Sequence, residues 1–139
     1  MKFNSQICTT RVQSERLLAL GLKKETADMV LCEPFDYEKR KYSDGNVKIV
    51  LEEGEDFCKD DIPAWSLHRL LSLIPKEIEV KSPYRKWICF NMNFDYNIIY
   101  FQSNMEDFIG FYEGSVYDKA ISCIEWLIKE GYFNKEYLV

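Results

Sequence analysis

Two aromatic and β-branched runs, Trp87-Ile88-Cys89-Phe90-Asn91-Met92 and Asn97-Ile98-Ile99-Tyr100-Phe101-Gln102, are separated only by residues 93–96. Parallel strands need a crossover of about a dozen residues or more, so a gap this short leaves an antiparallel hairpin with its turn over 93–96. A chain built around such a hairpin carries an antiparallel sheet with helices packed on it.

The flanking segments supply those helices and further strands. Residues 10–20 predict a helix: Thr10 and Gln13 form a capping-box pattern, and Val12, Arg16, Leu17 and Leu20 keep helical spacing. Gly21 suits a left-handed cap, and Leu17 and Leu18 are expected to face the core. Residues 23–28 read as a connector with room for one more helical turn. Met29-Val30-Leu31-Cys32 and Val47-Lys48-Ile49-Val50-Leu51 read as strands of a second hairpin with a long polar loop, in which Ser43-Asp44-Gly45-Asn46 signals a turn. Residues 64–74 predict a second helix, with Pro63 in its first turn and Pro75 at its end. Its apolar face is Leu67, Leu70, Leu71 and Ile74, which leaves His68, Arg69 and Ser72 off that face.

Phe108-Ile109-Gly110-Phe111-Tyr112 reads as a further strand or an apolar loop on the sheet. Residues 116–130 predict the last helix, capped by Ser115 with Asp118 in its first turn and closed by Gly131. Val116, Ala120, Ile124, Leu127 and Ile128 form its stripe, flanked by Ile121 and Trp126. The aromatic tail 132–139 is expected to dock back on the body. The expected fold is therefore α+β: one domain with an antiparallel sheet of four or five strands and about three helices packed on it. A chain of 139 residues is long enough to bury such a core without disulfide or metal staples.

Charge and cysteine usage narrow the function classes. The net charge of −5 opposes broad binding to a phosphate backbone. A nucleic-acid binder would need the basic residues 39–41 to converge with Lys48, Arg85 and Lys86, and an acidic DNA mimic would need an ordered stripe over 52–61. The plainer reading is solvated loops. Cys8, Cys32, Cys58, Cys89 and Cys123 are odd in number and widely spaced, which is not a secreted disulfide framework. The stretch Met1-Lys2-Phe3-Asn4-Ser5-Gln6-Ile7 lacks the apolar run of a signal peptide, and no run approaches the ~18 apolar residues of a membrane span. The expectation is a soluble, cytoplasmic protein with no membrane partner.

His68, the one histidine, invites a catalytic reading with Cys58, Asp60 and Asp61, which precede it. No nucleophile-elbow glycines support that reading, and an ordinary surface histidine is the expectation. One histidine and scattered cysteines supply no zinc set, the 52–61 acids lack calcium-loop spacing, and no glycine-rich phosphate loop is present. No cofactor, metal or catalytic residue is assigned. Trp65 either staples the second helix to the sheet or anchors a partner. The candidate interaction surface is Trp65, His68, Arg69, Tyr84 and Trp87.

Four segments, Gln13-Ser14-Glu15-Arg16-Leu17-Leu18-Ala19-Leu20-Gly21, Glu25-Thr26-Ala27-Asp28-Met29, Ile62-Pro63-Ala64-Trp65-Ser66-Leu67 and Glu125-Trp126-Leu127-Ile128-Lys129-Glu130-Gly131-Tyr132, together resemble a group of short uncharacterised proteins. That group occurs in phages and mobile elements of anaerobic gut bacteria. The resemblance covers most of the chain, departs most in the middle loops, and brings no activity or functional residue with it. It implies an accessory protein acting inside a bacterial cell. The sequence reading is then a non-enzymatic module whose partner is another protein. The alternatives are a small hydrolase-like enzyme with a cysteine or carboxylate centre, and a nucleic-acid-related role. The sequence does not fix an oligomeric state.

Overall fold

A computed structural model describes residues 5–32, 35–36, 41–42, 47–50, 61–82, 84–101 and 107–139; the side chains of 35–36, 41–42, 47–50, 81–82, 84–88 and 107 are outside that description. In chain order the elements are α1 (Arg11–Ala19), β1 (Met29–Cys32), β2 (Phe35–Asp36), β3 (Lys41–Tyr42), β4 (Val47–Val50), β5 (Ile62–Ala64), α2 (Leu67–Leu73), β6 (Glu77–Ser82), β7 (Tyr84–Met92), β8 (Ile98–Phe101), β9 (Asp107–Phe111) and α3 (Val116–Glu130). Single 3-10 turns sit at Lys24–Thr26 and Lys135–Tyr137. The fold is α+β, and every described strand pair is antiparallel. Backbone proximity divides the chain into two units, Met1–Arg69 with Tyr137–Val139, and Leu70–Glu136.

In the first unit β1 is the central strand of a sheet ordered β4-β1-β5. Met29 and Leu31 pack with Cys8, Ala64 and Ile62 in an apolar cluster. Strands β1 and β4 pair antiparallel as expected, Met29 opposite Val50 and Cys32 opposite Val47, with Leu51 outside the described residues. Helix α1 starts at the expected cap: the Thr10 side chain accepts from Gln13 N while Gln13 caps in return, and Gly21 takes a φ of 91° after the helix. Leu17 is fully buried as expected; Leu18 lies on the exposed side. The tail docks here through a Leu22–Leu138 antiparallel bridge, with Lys23 N donating to Tyr137 O at 2.8 Å.

The start of the second helix departs from expectation. Ile62-Pro63-Ala64 is not helical; it is β5, paired with β1 so that Pro63 faces Val30. Proline is compatible with this because β5 is at the edge of the sheet of described strands, where an N–H can face away from the ladder. The helix begins only after Ser66, whose hydroxyl accepts from Arg69 N at 3.1 Å. Asp28 fixes that cap, accepting from Ser66 N at 2.8 Å and from the Ser66 hydroxyl. The shift of start turns the buried set to Leu70, Leu73 and Ile74, while Leu67 and Leu71 are half-buried.

The second unit is a meander ordered β6-β7-β8-β9 with α3 on it. Strand β6 was not foreseen, although Glu77-Ile78-Glu79-Val80 alternates with the period of a strand. It pairs with β7 from Glu77 opposite Cys89 to Ser82 opposite Tyr84. Register places Phe90, Tyr100 and Ile109 in one row, and Met92, Ile98 and Phe111 in the next row on the same face. Between Tyr100 and Phe101 the ladder shifts, so that Phe108 is an extra residue in β9. Its ring meets Trp126 of α3 with centroids 6.2 Å apart; Tyr100, Phe111 and Tyr132 also surround Trp126. Such tilted and edge-on pairs each add about 0.5–1.5 kcal/mol beyond area burial. Helix α3 has the expected bounds, its Ser115–Asp118 capping box and its left-handed Gly131. Its buried stripe is Tyr117, Ala120, Ile121, Ile124 and Leu127, rotated slightly from the expected one.

Candidate interaction surface

The hairpin that most constrains the fold also carries its most unusual surface. The last paired rung of β7 and β8 is Met92 opposite Ile98, and residues 93–97 close the turn. Asn93 organises it: its Oδ1 accepts from Asp95 N at 3.1 Å and from Asn97 N at 3.0 Å. Its backbone carbonyl accepts from Tyr96 N at 3.0 Å, and its own N–H donates to Asn97 O at 3.2 Å. Asparagine suits this place because its short amide oxygen reaches backbone donors two residues on. Tyr96 has a φ of 58°, the only positive value at a non-glycine residue among those described. An aromatic residue there costs on the order of 1 kcal/mol or more and persists only where the surroundings fix it.

Part of that fixing comes from α3. Lys119 is only 8% exposed, and its Nζ donates to Asp95 O at 3.1 Å. The Ser115–Asp118 cap sets the start of α3 and so the place of Lys119 one residue on. The braced turn holds Phe94 entirely in solvent and Tyr96 largely so. Together with Asn91, Met92 and Asn93 they line a shallow groove of about 490 Å³. The pairing of Ile98 with Phe111 brings residues 112–115 to the same end of the sheet. Tyr112 is half-exposed there, and its ring lies over Gly110 so closely that a Cβ would stand 2.1 Å from the hydroxyl oxygen. Asp95, within the turn, and Glu113, next to Tyr112 in the chain, are also exposed.

Of the residues singled out from sequence, Trp65 is not on the surface. Trp65 is 0% exposed. Its backbone is stitched to Thr9, with Thr9 N donating to Trp65 O at 2.9 Å and Trp65 N donating to Thr9 Oγ1 at 3.0 Å. Its indole N–H donates to Thr26 Oγ1 at 3.0 Å. It takes the packing role and presents nothing to a partner. His68 and Arg69 are exposed on α2, so Trp65 and His68 are not displayed together. His68 has no hydrogen bond or ion pair among the described residues. The backbone of Tyr84 and Trp87 lies on β7, but their side chains are outside the described residues. So are Cys58, Asp60, the acids of 52–56, the basic residues 39–40 and the side chains of Lys41, Lys48, Arg85 and Lys86.

Of the other described cysteines Cys89 is exposed on β7, and Cys8, Cys32 and Cys123 are placed as structural groups. Cys8 sits in the apolar cluster of the first unit. Cys32 Sγ donates to Asp61 Oδ1 at 3.3 Å. Burial pushes the Cys123 thiol well above its ordinary value. Burial, and secondarily Cys123, does the same to the Tyr100 hydroxyl, which donates to Pro75 O at 2.6 Å. Among the described residues no group of three or more His, Cys, Asp or Glu side chains could hold a metal ion. No helix of the described residues is long and apolar enough to cross a membrane.

Sequence reasoning placed the turn but passed over Phe94, Tyr96 and Lys119. The available signal was two aromatic residues inside the polar string Asn93-Phe94-Asp95-Tyr96-Asn97, where turn chemistry gives a side chain nothing to pack on. No family model, curated protein or solved structure matches this chain.

Proposed function

We propose that this chain is a non-enzymatic binding module, a phage or mobile-element accessory protein that acts inside the cell by docking on another protein through the 93–97 turn. The observation that carries this reading is the full exposure of Phe94 on a turn whose backbone is braced from Asn93 and Lys119. Burying one such ring in a partner contributes about 1.5–3 kcal/mol, and aromatic anchors dominate protein interfaces. Because the turn is already fixed, little of that gain is lost to ordering the loop on binding.

The test places a photo-cross-linking phenylalanine analogue at position 94 in cells that express the chain. A discrete protein adduct is expected from position 94 and not from Val12, an exposed apolar position on α1. In parallel, Phe94→Ala should weaken co-purification of the same protein at least tenfold. An adduct pattern identical at both positions, or undiminished recovery with Phe94→Ala, overturns the reading.

A further inference from the structure

We infer that the segment received by the 93–97 turn is a basic one, a stretch of a partner protein that brings an arginine or lysine against the aromatic rings; this rests on the docking reading above. The charges at this end of the second unit carry the inference. The carboxylates of Asp95 and Glu113 are exposed, and neither has a partner among the described residues. The third acid there, Asp118, is committed to its cap, accepting from Ser115 N and from the Ser115 hydroxyl, each at 2.9 Å. The one cation of α3's first turn, Lys119, is buried and bound to Asp95 O. Lys76, which is exposed, stands level with Phe90, below the base of the turn.

The surface offered to a partner is therefore three exposed rings, Phe94, Tyr96 and Tyr112, set among negative charge. A guanidinium suits both parts: its plane stacks on an aromatic face while its N–H groups reach a carboxylate. A polyanion would meet the unpaired carboxylates and the net charge of −5, which repel it.

The experiment is an amide-resolved NMR titration of the full chain with two synthetic peptides of equal length, one alternating leucine and arginine, the other leucine and glutamate. The arginine peptide is expected to shift the amides of 93–97 and 112–115, to bind at least tenfold more tightly than the glutamate peptide, and to weaken as salt is raised. Joint Asp95→Asn and Glu113→Gln substitution should cost roughly five- to tenfold for the arginine peptide alone. Equal binding of both peptides at the turn overturns the basic partner and leaves the docking surface standing. Shifts spread over the acidic surface, or concentration-dependent shifts at the turn without peptide, which would mark a second copy as the occupant, also overturn it. If neither peptide moves the turn, the basic partner falls, and the cross-link at position 94 decides the docking reading independently.

Discussion

Trp65 is the sharpest point at which to test the packing argument, because its burial and its three hydrogen bonds give separable energies. Replacing it with alanine removes a ring of the size that buries about 150–250 Å². At about 25 cal/mol per Å² that is about 4–6 kcal/mol, close to the ~3–5 kcal/mol seen for buried aromatic-to-alanine changes. The backbone bonds to Thr9 remain, so they do not enter the sum. Trp65→Phe keeps most of the ring but loses the indole bond to Thr26 Oγ1. Because the Thr26 hydroxyl still donates to Lys23 O at 2.7 Å, it is left with a donor satisfied and only an acceptor site vacated. The cost is then about 1 kcal/mol for the bond and about 1 kcal/mol for the lost ring atoms. Thr26→Val instead strands the indole N–H, at about 1–3 kcal/mol. Urea unfolding followed by far-UV circular dichroism, with the slope unchanged, reads all three and the Trp65→Phe, Thr26→Val double variant. The expected order is alanine well above the other two, with a coupling of about 1 kcal/mol between positions 65 and 26. A Trp65→Ala cost below ~1 kcal/mol, or additive single changes, would refute the argument.

Other consequences can be measured separately. Asp28→Ala should destabilise by about 2 kcal/mol, since it strips charge-assisted bonds from Ser66 and loosens the α2 cap, whereas Ser66→Ala should cost about 1 kcal/mol in the same urea assay. Lys119→Met keeps the apolar stem and removes the bond to Asp95 O; hydrogen exchange at the amides of Asp95, Tyr96 and Asn97 should speed up at least tenfold, and unchanged protection would remove Lys119 from the bracing role. Cys123 and Tyr100 hold their protons more tightly folded than unfolded. The unfolded state therefore releases protons first, and stability is full below pH 9.0 and falls as pH climbs past the ordinary values of 9.0 and then 10.0. Each group contributes a slope of up to about 1.4 kcal/mol per pH unit; Cys123→Ala should remove the earlier onset and Tyr100→Phe the later one. With a water-soluble disulfide reagent, Cys89 should react in the folded protein while Cys8 and Cys123 react only on unfolding.

Local signals were legible where a short stretch settles its own conformation. Ser115 with Asp118, and Gly131 at the far end, fix α3 without help, because both caps satisfy the helix's own unpaired backbone groups. The β7–β8 turn was legible because the gap excludes any other connection. Pro63 was not legible in the same way. Its ring accepts either a first helical turn or an extended edge strand, and pairing with Val30 across 33 positions of sequence decides between them. Strand β6 was missed because its alternating glutamates resemble a solvated loop until β7 is laid beside them.

The sequence by itself determined that this chain is α+β, that its sheets are antiparallel, and where its first and last helices begin, since those outcomes follow from spacing, caps and short connections. It left the roles of its conspicuous side chains open. Only the tertiary structure decided that Trp65 is buried against Thr9 and Thr26, that His68 is exposed, and that Phe94, Tyr96 and Tyr112 are among the aromatics on display. The physical reason is that exposure and bracing are set by which distant elements meet: Lys119 reaches Asp95 across 24 positions, and no pattern within either segment encodes that meeting.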